Sequence, residues 1–72
     1  MEEKTFWADS ELEVWVRVSL RKAGAMSTTA ARLQLFDSRW MSAQAHVHPS
    51  KMPDMLILIE EMREAICAWP EN

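Results

Sequence analysis

One cysteine, one glycine and no tyrosine stand among 72 residues, and each scarcity removes something. With Cys67 alone, no disulfide can staple a single chain, and a lone thiol is expected of a reducing compartment, a cytoplasm. Loops that cradle phosphate need several glycines so that the backbone can approach the anion. Gly24 is the only one, which excludes both common nucleotide-binding loops. Long apolar runs are missing too. The longest, Met55 to Ile59, falls far short of the roughly 20 residues that cross a bilayer, so no membrane partner is expected. The opening Met1-Glu2-Glu3-Lys4 does not read as a secretory signal.

Apolar bulk is what the chain has instead: 49% hydrophobic residues, with four Trp and six Met. That composition argues against disorder. A chain of this length nevertheless buries only about 60% of the surface it exposes when unfolded, and such a core supplies about 3–5 kcal/mol. With disulfides excluded, association is the expected staple, so a single domain over 1–72 is read as a homodimer. Residues 1–10 read as a loose lead-in, with Phe6 and Trp7 docked on the body.

The net charge of −3 is unevenly spread. Glu2, Glu3, Asp9, Glu11 and Glu13 outweigh Lys4 at the N-terminal end. Arg17, Arg21, Lys22, Arg32, Arg39 and Lys51 outweigh Asp37 in the middle. Asp54, Glu60, Glu61, Glu64 and Glu71 outweigh Arg63 at the C-terminal end. A basic middle between acidic ends either neutralises itself across the fold or offers a basic surface to an anionic partner.

From Glu11 to Arg21 every second residue is apolar: Leu12, Val14, Val16, Val18 and Leu20. Period two with β-branched Val predicts an amphipathic strand over about 11–21. The competitor is a helix, since Glu13, Arg17 and Arg21 are spaced for i, i+4 ion pairs. Gly24 breaks the pattern, and Ser27 is the expected N-cap of a helix over about 28–45. Pro49 and Pro53 punctuate a loop from His46. A final helix over about 53–69 starts at Pro53 with Asp54 in its first turn. There Met55, Ile59, Met62, Ile66 and Trp69 form a heptad-like seam, expected to be core or dimer interface, and Pro70 ends the helix. The fold class read from this is α+β, one strand and two helices, dimerised; an all-α three-helix domain is the alternative.

No constellation for catalysis emerges, and no enzyme is expected. Cys67 reads as a small, semi-buried hydrophobe, and Glu60, Glu61 and Glu64 read as a solvated helix face. His46-Val47-His48 is the one metal-like fragment, but the paired spacings of a structural zinc site are missing. No metal and no cofactor are assigned. Trp15 draws more attention: on a strand it shares the polar face with Glu13 and Arg17, and Trp and Arg are enriched at interface hot spots. The partner-binding residues assigned are Trp15, Arg17, Arg21, Arg32, Arg39 and Trp40.

The stretch Val16-Arg17-Val18-Ser19-Leu20-Arg21, followed by two helices, resembles ribbon–helix–helix DNA-binding proteins. That resemblance implies a dimer whose paired strands present Arg17, Ser19 and Arg21 to the major groove. The chain departs from the family in its longer link at 22–27 and its loop at 46–53 without glycine. If 10–23 is helical instead, the chain is similar to a helix-turn-helix protein, with Gly24 in the turn and Thr28, Thr29 and Arg32 leading the recognition helix. Against both DNA readings stands the acidic total, because phosphate neutralisation dominates nucleic-acid affinity. The leading expectation is therefore a small regulator that binds protein, as an adaptor, antitoxin-like factor or inhibitor of the size that phages and mobile elements encode.

Overall fold

The computed structural model describes residues 9–71. The lead-in with Phe6 and Trp7 lies, up to residue 8, outside the described residues, while Asp9 and Ser10 are already helical. Three helices follow: α1 (Asp9–Gly24), α2 (Thr29–Ala43) and α3 (Met52–Ala68). Two short 3₁₀ turns, Gln44–His46 and Pro49–Lys51, join α2 to α3. No strand occurs among the described residues.

The strand expected at 11–21 is therefore corrected to a helix, and the α+β class to the all-α alternative. The reason lies in which residues α1 buries. Leu12, Ser19 and Ala23 are buried, at spacings of seven and four, with Trp15, Val16 and Leu20 partly covered beside them. Val14 and Val18 point away from the core, and Val14 is 58% exposed. Strict alternation was an accident of two outward valines and an inward serine. The i, i+4 pair does form, with Arg17 Nη2 donating to Glu13 Oε1 at 2.7 Å. Valine costs an isolated helix a few tenths of a kcal/mol per residue, a preference that tertiary burial overrides.

Thr28, rather than Ser27, caps α2: its Oγ1 accepts from the Ala31 N–H at 3.1 Å. Arg32, Phe36, Trp40 and Ala43 form the buried stripe of α2, which ends two residues before the expected Ala45 and tightens into a 3₁₀ turn. In α3 the expected seam is the buried stripe: Met55, Ile59, Met62 and Ile66 are covered, and Trp69 caps the end half-buried. The seam packs into the chain's own core with Leu12, Phe36 and Trp40. A second copy is thus not what covers it.

Two contacts orient the helices. Leu12 and Glu13 near the start of α1 line one cleft with Asp54, Ile57 and Leu58 near the start of α3. Gly24 at the end of α1 meets Trp69 at the end of α3. So α1 and α3 run parallel, level with each other. The start of α2 lies at the end of α3, where the Thr29 N–H donates to Glu71 Oε2 at 3.3 Å; α2 therefore runs the opposite way. The bundle is up-down-up.

Candidate functional site

The six assigned partner-binding residues do not share one surface. Arg32 is 1% exposed. Its Nε donates to the Met26 carbonyl at 2.8 Å, Nη1 to the Trp69 carbonyl at 3.2 Å and Nη2 to the Pro70 carbonyl at 3.0 Å. The guanidinium lies 5.1 Å from the centroid of the Trp69 ring. Its charge is met by the negative end of the α3 dipole and by an aromatic face. Arg32 is a clamp joining the α1–α2 turn to the end of α3.

Trp40 is buried, and half-buried Trp15 meets it edge to face, with ring centroids 6.3 Å apart. The helical turn takes Trp15 off the outer face where a strand would have placed it, next to Glu13 and Arg17. Arg39 is half-buried, and its Nε is covered without a hydrogen-bond partner. Only Arg17 and Arg21 of the six stand on an open face.

That open face carries side chains that the period-two reading concealed. Val14, Arg17, Val18 and Arg21 recur at i, i+3, i+4 and i+7 on the outside of α1, and all four are exposed. On α3 the same spacing gives Ile57, Glu60, Glu61 and Glu64, again all exposed, with Ile57 at 60%. Between the two helices at their starts lies a cleft of about 430 Å³, floored by Leu12 and Leu58, with Ile57, Glu13 and Asp54 on its walls. A helical phase for 9–24, with Leu12, Ser19 and Ala23 inward, is the signal in the sequence that finds Val14 and Val18. On α3 the signal is the run Leu56-Ile57-Leu58, of which the seam uses none.

The basic middle of the sequence is dispersed by folding. Arg32 is buried, and Arg17 is held by Glu13. In the acidic C-terminal segment, Arg63 reaches back to α2, where Nη2 and Nε donate to Asp37 Oδ1 at 2.7 and 3.1 Å, with its guanidinium 5.9 Å from the Phe36 ring. The exposed side of α2 carries Ala30, Gln34, Ser38, Met41 and Ser42, none of them cationic. Thr28, expected to lead a recognition helix, is occupied as a cap.

His48 Nδ1 accepts from the Ser50 N–H at 3.2 Å and lies 2.8 Å from Ser50 Oγ, so this ring caps the second 3₁₀ turn. Among the described residues no three His, Cys, Asp or Glu converge to hold a metal ion. Cys67 is exposed rather than half-buried. Among the described residues no helix is long and apolar enough to cross a membrane. No protein-family model, no curated protein and no solved structure matches the chain.

Proposed function

We propose that this chain is a small non-enzymatic regulatory protein that acts by binding protein, as an adaptor, antitoxin-like factor or inhibitor, and that it does so as a cytoplasmic homodimer. The observation that carries the reading is the apolar content left outside. Val14 near the start of α1 and Leu56 and Ile57 near the start of α3 are large, exposed aliphatic side chains at one end of a domain of 72 residues, and contiguous exposed apolar surface marks interaction sites. Cys67, Glu60, Glu61 and Glu64 are exposed along α3 as a solvated helix face, and His48 is engaged at Ser50. The lone exposed thiol supports a reducing compartment.

A DNA-binding reading draws on the helix–turn–helix order of α1 and α2, which meets the helical condition set by the sequence. The uncharged outer side of α2 and the burial of Arg32 leave that helix only the half-buried Arg39, where phosphate contact demands several cations. The ribbon–helix–helix resemblance falls with the strand that carried it.

Affinity capture from a native lysate, run with and without nuclease, tests the proposal. Protein recovered specifically and undiminished by nuclease is the expected result. Recovery of nucleic acid alone, or of nothing above bait-free resin, overturns it.

A further inference from the structure

We propose that the outer face shared by α1 and α3 binds a second copy of this chain in a two-fold pairing, α1 of each copy lying parallel to α3 of the other. The inference rests on the homodimer reading above and names its surface and register. Its ground is that the two helices carry one spacing with opposite charge. Outside α1 stand Val14, Arg17, Val18 and Arg21; outside α3 stand Ile57, Glu60, Glu61 and Glu64. Each set places an aliphatic residue near the helix start and charge in the turns that follow.

Symmetry then supplies the register. The starts of α1 and α3 are level, because Leu12 and Glu13 share a cleft with Asp54, Ile57 and Leu58. The ends are level too, because Gly24 meets Trp69. Arg17 therefore stands at the height of Glu61, Arg21 at that of Glu64, and Val14 at that of Ile57. A two-fold axis lying in the interface and parallel to the helices exchanges left and right while keeping height. It sets the basic flank of one copy against the acidic flank of the other twice over, and lays Val14 on the partner's Ile57 beside the cleft. The antiparallel two-fold, about an axis across the helices, would instead lay α1 on α1 and α3 on α3, setting Val14 on the partner's Arg21, Ile57 on the partner's Glu64 and like charges together, so charge selects the parallel one. The contact is isologous and closes at two copies. Arg17 is bonded to Glu13 in the single chain, but both side chains are well exposed, so that pair can exchange for an intermolecular one.

The pairing has two contributions that respond differently to salt. Exposed ion pairs set orientation and are screened as ionic strength rises. The aliphatic contact is not.

Sedimentation of the full chain at micromolar concentration decides the matter. Wild type is expected to be a dimer, weakening several-fold between about 0.05 and 0.5 M salt. Arg17→Glu with Arg21→Glu, and separately Glu61→Arg with Glu64→Arg, should each give helical monomers. Mixed one to one, these two chains should recover association as a heterodimer, which misfolded chains could not do. Ile57→Asp should raise the dissociation constant at least tenfold with the helical circular dichroism retained. A wild-type dimer indifferent to all of these changes overturns the face while leaving the homodimer standing. A wild type that is monomeric throughout overturns both, and an open-ended polymer overturns the two-fold.

Discussion

The two ends of the bundle are built on different principles. Where α1 and α3 finish, the structure is closed by directional bonds: Arg32 joins three carbonyls from two segments and lies over Trp69, whose ring fills the space beside Gly24. Where they start, an apolar cleft stays open between Leu12 and Leu58, bordered by two carboxylates. In a domain with little core, the difference teaches that directional bonding is concentrated at one end while the other keeps an open apolar cleft. Substitutions at the two ends should therefore differ in size and in kind.

The largest effect is expected from Arg32→Ala. Three carbonyls lose their donor and a buried side chain is deleted, at a cost of about 3–5 kcal/mol. That equals the whole stability expected of a core this size, so a urea titration followed by circular dichroism should find the variant largely unfolded without denaturant. A variant melting within about 1 kcal/mol of wild type would remove the distinction between the ends.

Gly24→Ala should come next. No glycine in the described residues has positive φ, so glycine is needed at 24 for room: a Cβ there would overlap the Trp69 ring. Overpacking of this sort costs about 1–3 kcal/mol, read as a lower urea midpoint at unchanged slope. Gly24→Ala combined with Trp69→Leu should recover part of the loss, since the smaller side chain vacates the space.

Ser19→Ala sharpens the comparison from the middle of α1. The hydroxyl is buried and has no hydrogen-bond partner. Removing it relieves an unsatisfied group and installs the best helix former, so stability should rise by about 1 kcal/mol. A loss instead would mean that the hydroxyl is bonded through water.

At the open end, Ile57→Ser should leave the folding stability of the isolated monomer within about 0.5 kcal/mol, as exposed positions do. Measured in dilute solution, a cost above 1 kcal/mol would show that the cleft is part of the core.

How much of this was legible beforehand follows from the kind of signal each element carries. In α3 the seam of Met55, Ile59, Met62 and Ile66 is spaced as only a helix spaces residues, with Pro53 and Pro70 at its edges, and the structure places those four in the core. In α1 the apolar positions fit two periods at once. Only small buried residues, Ser19 and Ala23, distinguish them, and hydrophobicity gives such residues little weight. Arg32 was read by its charge as a surface residue. Its burial depends on carbonyls at Trp69 and Pro70, which no local pattern links to residue 32. The open face lay in the sequence but out of phase: once α1 is helical, Val14 and Val18 turn outward, and the likeness to Ile57 and its glutamates becomes visible.

The clamp also orders events during synthesis. Arg32 leaves the ribosome well before Trp69 and Pro70, so its guanidinium must wait in water while α1 and α2 are already free to pair. The first two helices can meet through local contacts, which form early because little chain must be closed. Their hairpin gains its electrostatic lock only when Trp69 and Pro70 emerge. A nascent chain halted short of Trp69 would carry the three helices and the buried core, yet hold a cation lacking two of its three carbonyls. The arrival of Trp69 and Pro70 is thereby registered in the folding of the bundle, and fragments that stop short of them should be the ones that cellular proteases remove first.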